Sequence, residues 1–450
     1  MPESLRHSII LATSNGTGMG HLARQTSIAL ALGDRADPIL FSMSRAVPLV
    51  FELGIRGEYV PSSDRVTLEA SVWQHYLADR ISALLEETGA RVFAFDGVWP
   101  YYGIIRARLR HPRVAFVWMR RPLWRPGSNE RALDARHRFD LVLEPGDLAA
   151  TADSGITADL EDVERLPPVT LLSQVDRLPR AEAAEQLGLD PGRPAALVTL
   201  RGDEPDGGAT RAVQTVLGQA DWQVAVTRKL PDIDDDRVVR LHYVFPLARY
   251  LEAFDIGVVE AGYNSFHEML HAGIPTVTVA TAAAITDDQV ARSHWAAEQG
   301  FALSAEEGDP SGISEAVGRL LDPVARDAIR ERCAALAPPE GARVAADRLV
   351  QLSGNFTRHR IPKEERTEMR RRDWRNVRQR ARRLAGRVRH SQSGPSTDAG
   401  DEPELVSPVP LVETVTMDEL GATPPPEHVL SGTSDNYRRA RTRIVTNYLG

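Results

Sequence analysis

The chain has 450 residues, 42% of them hydrophobic and 26% charged, and a net charge of -8 at pH 7. This composition predicts a globular protein of two or three domains, and the single cysteine, Cys333, excludes an internal disulfide framework. A lone cysteine fits a reducing compartment, and neither a signal peptide nor about 18 uninterrupted apolar residues stand in the sequence, so we expect a cytoplasmic protein without a membrane-spanning helix.

Short apolar runs rich in β-formers alternate with helix-period segments from the N-terminus onward. The helical run HLARQTSIALALG (21–33) stands between the first two of these predicted strands, which are SIILATS (8–14), PILFSMS (38–44), RVFAFD (91–96), RVAFVWM (113–119) and FDLVLEP (139–145). Such alternation is typical of a parallel sheet covered by helices, and it predicts a Rossmann-like domain over residues 1–172.

The alternation restarts after a helical, proline-bounded stretch at 173–194, which we interpret as a linker. The further predicted strands are AALVTL (195–200), WQVAVT (222–227), RVVRLHYV (237–244), FDIGVVEAG (254–262) and IPTVTVA (274–280). They predict a second Rossmann-like domain over residues 195–356.

The C-terminal region differs in charge from the rest of the chain. Residues 357–390 carry a net charge of +10, and one apolar stripe at helical spacing runs through Trp374, Val377, Ala381, Leu384 and Val388. A basic amphipathic helix of this kind packs on the protein or a partner, or lies on an anionic membrane surface. No nucleic acid is expected, because the body at 1–356 has a net charge of -13. Residues 391–450, rich in Pro, Ser, Thr and acidic residues, are predicted to be a largely disordered acidic tail.

The loop SNGTGMGHLARQ (14–25) follows the first predicted strand and resembles a dinucleotide-binding loop. The G-x-G-x-x-G fingerprint fails at its third position, since Gly16 and Gly18 are followed by His21. The second strand also ends in Ser42, Met43 and Ser44, where that fingerprint requires an acidic residue. These departures argue against a dehydrogenase.

A second motif occupies residues 254–300. A predicted strand ends at Glu260, a turn follows at Gly262, and Ser265 with Glu268 fits a capping box at the start of a helix. A helix N-terminus at the carboxyl end of a parallel strand is an anion site. Glu268 is therefore expected either to cap the helix or to bind a ribose diol.

Together the two motifs resemble the family 28 glycosyltransferases, which have the GT-B fold. The resemblance rests on a strand followed by GTGMGH, and on Gly262, Glu268, AGIP (272–275) and DDQ (287–289). It covers residues 8–350 and implies an inverting transfer from a nucleotide-diphosphate sugar, a UDP-sugar in this family. Two segments depart from the family pattern: LRGDEPDGG (200–208) replaces a Gly/Ser-rich turn, and TDDQVAR (286–292) replaces a double-glutamine segment.

Carried over by position, the resemblance implies a set of donor contacts. Glu268 would bind the ribose, and Asp288 and Gln289 the donor sugar, while the amides near Tyr263, Asn264 and Ser265 would face the diphosphate. The remaining implied donor-binding positions are Gly18, Gly20, Gly202 and Gly262, with Tyr243 and Phe245 in the base-binding loop.

His21 is the predicted catalytic base, because the pKa of an imidazole suits it to take the proton of an acceptor hydroxyl at neutral pH. Asp96, at the end of RVFAFD, is expected either to orient His21 or to cap the following helix. Amides at a helix N-terminus can meet the charge of a diphosphate leaving group, so we expect neither a metal nor another cofactor. Arg120, Arg121 and Arg125 form either a solvated loop or an acceptor-binding face.

The resemblance thus implies a hexosyl- or N-acetylhexosaminyltransferase acting on a glycan, lipid-linked or small-molecule acceptor. A role in cell-envelope polysaccharide synthesis and a peripheral position at the inner face of the cell membrane are further expectations. Two alternatives stay open: a noncatalytic nucleotide-sugar-binding scaffold, and a nonhydrolysing UDP-sugar 2-epimerase.

Overall fold

A computed structural model describes residues 6–15, 19–200, 207–230, 233–242, 244–359, 362–367, 369 and 371. Within these residues the chain forms two parallel sheets of seven and six strands with helices against them. The predicted α/β class with two Rossmann-like halves is confirmed. Gly18, Gly202, Tyr243, most of 357–390 and all of 391–450 lie outside the described residues.

The first sheet has the order β3-β2-β1-β4-β5-β6-β7. Its strands are β1 Ser8–Thr13, β2 Asp37–Ser42, β3 Arg56–Tyr59, β4 Val92–Asp96, β5 Ala115–Met119, β6 Leu141–Pro145 and β7 Glu164–Leu166. Every residue of β4 and β5 is buried, as expected for central parallel strands covered on both faces. The sequence did not predict β3 and β7, which are short and carry charged residues.

The second sheet has the order β10-β9-β8-β11-β12-β13. Its strands are β8 Ala195–Val198, β9 Gln223–Val226, β10 Val238–Arg240, β11 Ile256–Glu260, β12 Thr276–Ala280 and β13 Leu303–Glu306. In both sheets the first strand of the domain pairs with the fourth, β1 with β4 and β8 with β11. This change of direction in the strand order opens a crevice at the carboxyl ends of the strands, where ligands bind in such sheets.

Most of the helices lie between strands in the sequence, and three of them follow β13. They are α1 Gly20–Leu32, α2 Ala70–Thr88, α3 Tyr102–Arg110, α4 Glu130–Leu133, α5 Arg180–Leu187, α6 Gly208–Leu217, α7 Tyr263–His271, α8 Gln289–Glu298, α9 Pro310–Leu320, α10 Pro323–Ala334 and α11 Gly341–Asn355. Among the described residues no helix has the length and apolar character needed to cross a bilayer.

Helix α11 returns to the first sheet after the second sheet is complete. Its buried residues Ala342, Ala345, Ala346 and Leu349 have the i, i+3, i+4, i+7 spacing of one helix face, and they pack in the same core as Leu22 of α1. A Cβ at Gly341 would lie 2.0 Å from the carbonyl oxygen of Pro167, so the crossing requires glycine there. Helix α11 therefore completes the first domain.

The segment that follows α11 also packs on the first domain. The backbone N–H of His359 donates to the carbonyl of Pro112 at 3.0 Å, and its Nε2–H donates to the carbonyl of Arg108 at 3.1 Å. Met369 is buried in the core that contains Trp73 and Phe95. The start of the basic region is thus attached beside α2 and α3.

Candidate active site

His21 and Asp96 meet at the carboxyl edge of the first sheet. Thr13, the last residue of β1, is paired in register with Asp96, the last residue of β4, and His21 lies in the first turn of α1. The Nδ1 atom of His21 is 2.9 Å from Oδ1 of Asp96. Asp96 does not cap α3, whose N-cap is Tyr101. Of the two roles predicted for Asp96, the structure therefore has the contact needed to orient His21 and lacks the one needed to cap α3.

Arg24 joins this pair from the same face of α1, three residues after His21. Its Nε donates to Oδ2 of Asp96 at 2.8 Å, and its Nη2 donates to Oδ1 at 2.9 Å. Nη2 also lies 2.8 Å from Nδ1 of His21. A bidentate guanidinium–carboxylate pair of this kind fixes both partners.

Burial and these neighbours set the charges of the group. Burial alone would raise the pKa of Asp96, but Arg24 and His21 outweigh it and lower that pKa to about 2. Burial lowers the pKa of His21, and Arg24 and Arg121 lower it further, while Asp96 acts in the opposite direction. At neutral pH, Asp96 is therefore ionised and His21 is uncharged, which is the state a general base needs.

The N-terminus of α7 faces this group from the second domain. Helix α7 begins at Tyr263 with Gly262 in an extended conformation as its N-cap, and no side chain caps it. The expected capping box is wrong, because Ser265 is the third residue of the helix. Asn264 donates to the carbonyl of Gly20 at 3.1 Å and accepts from Nη1 of Arg24 at 3.3 Å. The α1 and α7 N-termini are thus in direct contact.

Tyr263 and Phe245 both pack between the domains. The Tyr263 hydroxyl donates to the carbonyl of Gly146 at 2.7 Å and accepts from the N–H of Val169 at 3.0 Å. Phe245 is partly buried against a small cluster that includes Ala23 of α1 and Leu171. Both side chains therefore stabilise the contact between the two domains.

Glu268 is half-buried, one helical turn beyond Asn264, and the backbone N–H of Leu171 is hydrogen-bonded to it. Burial raises the pKa of its carboxyl to about 7, although the hydrogen bond favours the ionised form. Glu268 does not cap α7, so of its two predicted roles only ribose binding stays open.

The predicted sugar-binding residues lie at the start of α8. Asp288 is the N-cap of that helix and accepts from the N–H of Ala291 at 3.0 Å. The amide nitrogen of the buried Gln289 would lie 3.9 Å from a Cβ at Gly262. Gln289 is therefore beside the N-terminus of α7, whereas the Asp288 carboxylate already has a capping role.

A buried ion network closes the interface beside these residues. Arg292 of α8 donates to Asp147 of the first domain at 2.9 and 3.0 Å, to Asp287 at 2.7 and 3.1 Å, and to the carbonyl of Ala261 at 2.8 Å. Burial alone would raise the pKa of Asp287, but Arg121 and Arg292 lower it to about 2. The network holds the two domains together through buried charges.

The arginine cluster after β5 is neither solvated nor free. Arg120 is buried and pairs with Glu144 at 2.6 Å, and Arg121 pairs with Asp287 at 3.1 Å. Arg125 donates to carbonyls in the 282–284 segment at 2.6 and 3.0 Å. The predicted solvated loop is wrong, because Arg120 is buried within the first domain and Arg121 and Arg125 contact the second.

Comparison with known proteins concerns the fold. No protein-family profile and no curated sequence matches the chain. Among solved structures, the spinosyn forosaminyltransferase SpnP matches with a TM-score of 0.54 at 17% identity, over 78% of this chain and 100% of its own. The glycosyltransferase VinC in complex with dTDP gives 0.52 at 17%, over 77% and 100%. The spinosyn rhamnosyltransferase SpnG gives 0.51 at 14%, over 76% and 100%. The chain has the GT-B fold.

In this GT-B fold, the structure adds charged residues that the sequence did not single out. Arg24, Asp147 and Arg292 are all buried and all join the two domains or the His21–Asp96 pair. A signal for Arg24 exists, since H-x-x-R on a predicted helix places both residues on one face. No local pattern identifies Asp147 and Arg292, because they meet only when the domains pack.

Proposed function

We propose that the protein is an inverting glycosyltransferase that moves a hexosyl or N-acetylhexosaminyl group from a UDP-sugar to an acceptor hydroxyl. The observation that carries the proposal is the His21–Asp96 pair, 2.9 Å apart, opposite the N-terminus of α7. A base and an anion-binding helix end on two facing domains are the two groups that transfer from a nucleoside diphosphate requires.

In the proposed step, the acceptor O–H gives its proton to Nε2 of His21 while its oxygen bonds to the anomeric carbon. The bond from that carbon to the diphosphate breaks, and its electron pair leaves with UDP. Asp96 accepts from Nδ1–H and stabilises the imidazolium that forms. The amides at the start of α7 meet the charge on the leaving diphosphate.

The nucleotide is proposed to lie on the second domain. Support comes from Gln289 beside the start of α7, from Glu268 one helical turn beyond Asn264, and from VinC, which was solved with dTDP. Glu268 would bind the ribose diol and Gln289 the sugar. For Asp288, whose carboxylate caps α8, sugar binding requires its second oxygen.

We also propose a peripheral membrane position for the enzyme and a lipid-linked acceptor. The support is the +10 charge of residues 357–390, in which the described residues His359 and Met369 pack beside α2 and α3 in the acceptor domain. Anionic lipid attracts such a segment with a strength that falls with salt.

The decisive experiment is a donor screen followed by a turnover assay. UDP, GDP, dTDP and their sugars are compared by thermal shift, and release of the nucleoside diphosphate is then followed with the stabilising donor. Stabilisation by UDP-sugars and release that depends on His21 are expected. Binding without turnover of donor across an acceptor panel would reject the transferase and favour a scaffold, whereas formation of the C2 epimer of the sugar would favour an epimerase.

A further inference from the structure

Arg24 lies between the His21–Asp96 pair and the N-terminus of α7, and the proposed transfer step does not use it. The side chain is 2% exposed, with two hydrogen bonds to Asp96 and one to Asn264. Its guanidinium carbon lies 5.2 Å from the centre of the Tyr263 ring. Arg24 is therefore held by both domains at once.

The charge of Arg24 changes what Asp96 does for His21. A carboxylate beside an imidazole normally favours the imidazolium form. Here the guanidinium already neutralises that carboxylate, so the group of three is neutral with an uncharged imidazole and carries +1 with an imidazolium. An unpaired charge is costly in a buried site, and Arg24 therefore opposes protonation of His21.

The geometry around Nδ1 of His21 adds a second effect. Nδ1 is 2.9 Å from Oδ1 of Asp96 and 2.8 Å from Nη2 of Arg24. One ring nitrogen either donates to Asp96 or accepts from Arg24, and it cannot do both. In the neutral ring, only donation to Asp96 leaves Nε2 unprotonated and able to take the proton of an acceptor hydroxyl.

We propose that Arg24 is a positioning residue that keeps His21 uncharged and competes with Asp96 for its Nδ1 atom. This inference rests on the proposed role of His21. The other charged groups that face His21 are Asp96, at the end of β4, and Arg121, after β5; helix α7 contributes the uncharged Asn264 and Tyr263.

The test is an NMR titration of the His21 ring in the full chain, with its signal assigned by its loss in His21→Ala. Arg24→Gln removes the charge and Arg24→Lys keeps it. We expect the His21 midpoint to rise by about one pH unit or more in Arg24→Gln, the usual effect of a charge at this distance, and to stay near wild type in Arg24→Lys. The ¹⁵N shifts of the neutral ring should show a larger Nδ1–H fraction in Arg24→Gln.

Arg121→Gln is the matched control, because Arg121 faces His21 but has its ion pair with Asp287. The His21 midpoint should rise less in Arg121→Gln than in Arg24→Gln. Unchanged His21 midpoint and tautomer in Arg24→Gln would overturn the inference.

Arg24→Gln can unfold the protein, since it leaves Asp96 buried without its guanidinium. The double variant Arg24→Gln with Asp96→Asn has no unpaired carboxylate. Its His21 midpoint should lie above that of Asp96→Asn alone, and equal midpoints would again overturn the inference. UDP binding by thermal shift, measured on the same samples, tests the proposed function separately. If wild type does not bind UDP but the His21 midpoint still rises in Arg24→Gln, the proposed function is rejected and the electrostatic role of Arg24 is still supported.

Discussion

Burial shifts the pKa of His21 downward and that of Glu268 upward, so both side chains are biased toward the uncharged form near neutral pH. The two shifts have different consequences. An uncharged imidazole is ready to accept a proton, whereas a protonated carboxyl must ionise before it accepts hydrogen bonds from a diol through both oxygens. Each consequence can be tested by one substitution.

His21→Ala should lower turnover by about 10² to 10⁴, the usual contribution of a positioned general base, with UDP affinity unchanged. Because His21 must be uncharged to act, turnover falls as the pH drops through its pKa, and that acidic limb should lie below about 6.5. The variant should lose the limb. Steady-state transfer across pH, beside direct UDP binding, measures both effects.

Asp96→Asn should produce a smaller loss of turnover, and the losses of the two variants should not add, since the residues act as one unit. Turnover at the wild-type rate in His21→Ala would leave this histidine with a structural role only.

Glu268→Ala should weaken UDP binding by about 1.5 to 3 kcal/mol, the range for hydrogen bonds to a charged group. The measurement is titration calorimetry at pH 8, where the carboxyl is ionised. Glu268→Gln, of nearly the same shape, is the matched control and should bind better than Glu268→Ala but less tightly than wild type. Equal affinity in all three proteins would remove the ribose assignment.

Stability should also depend on Glu268 in a defined pH window. Its folded pKa of about 7 lies above the ordinary value of 4.5, so folding favours the protonated form. The raised pKa therefore costs no stability below about pH 4.5, and its cost grows until it is complete above about pH 7. The free energy of unfolding of Glu268→Gln, from urea titrations, should gain on wild type between pH 5 and pH 8; a constant difference would contradict the raised pKa.

At the scale of elements, helix α7 begins at a different residue from the one that its local sequence pattern predicts. The S-x-x-E pattern predicts a start at Ser265, yet the helix begins at Tyr263. The Tyr263 side chain is held by Gly146 and Val169 of the first domain, and such a contact between domains has no signature in nine residues of local sequence. The helix and the strand before it were predictable, but the residue at which the helix starts was not.

Ser265→Ala should therefore change the free energy of unfolding by less than about 0.5 kcal/mol, as for a substitution outside a cap. Asp309→Ala is the matched comparison, because the Asp309 side chain caps α9 by accepting from the N–H of Gly312 at 2.9 Å. That variant should lose about 0.5 to 2 kcal/mol. A loss in Ser265→Ala equal to that in Asp309→Ala, measured by urea unfolding, would restore the capping box.

Across the molecule, local sequence likewise predicts elements better than it predicts the contacts between domains. The long apolar runs that became β1, β4, β5 and β11 were predictable because continuous hydrophobicity over five or six residues has few other outcomes. The proximity of His21 and Asp96 followed as one of two alternatives, since parallel strands end at one edge. Arg24 had a local signal only for its place beside His21, and its contact with Asn264 had none. The pairing of Arg292 with Asp147 and the return of α11 to the core around Leu22 were not predictable, because they are set by how the domains pack and by no local pattern.

At the scale of the whole molecule, the packing of His359 and Met369 on the first domain allows stability and membrane binding to be tested separately. A chain ending at Asn355 loses the buried His359 and Met369, whereas one ending at Arg371 keeps every described contact. The shorter chain should unfold at a lower temperature than the full protein, and the chain ending at Arg371 at the same temperature. Equal melting of all three by calorimetry would contradict the packing of this segment.

The chain ending at Arg371 also lacks eight of the fourteen Lys and Arg residues of 357–390. It should sediment less with vesicles that contain phosphatidylserine, and raised salt should release the full protein. A chain ending at His390 is the matched control, because it lacks the acidic tail but keeps all fourteen. Sedimentation that is unchanged in the chain ending at Arg371 would remove the membrane proposal.

The return of α11 to the first sheet has a consequence for synthesis. During translation, residues 1–172 leave the ribosome long before Ala342 and Leu349, which complete the core around Leu22. That core closes only after the whole second domain has been made, and contacts of such long sequence separation form slowly. The nascent first domain must therefore wait with one apolar face uncovered, and a fragment ending at residue 172 should aggregate when expressed alone unless the α11 segment is supplied as a separate peptide.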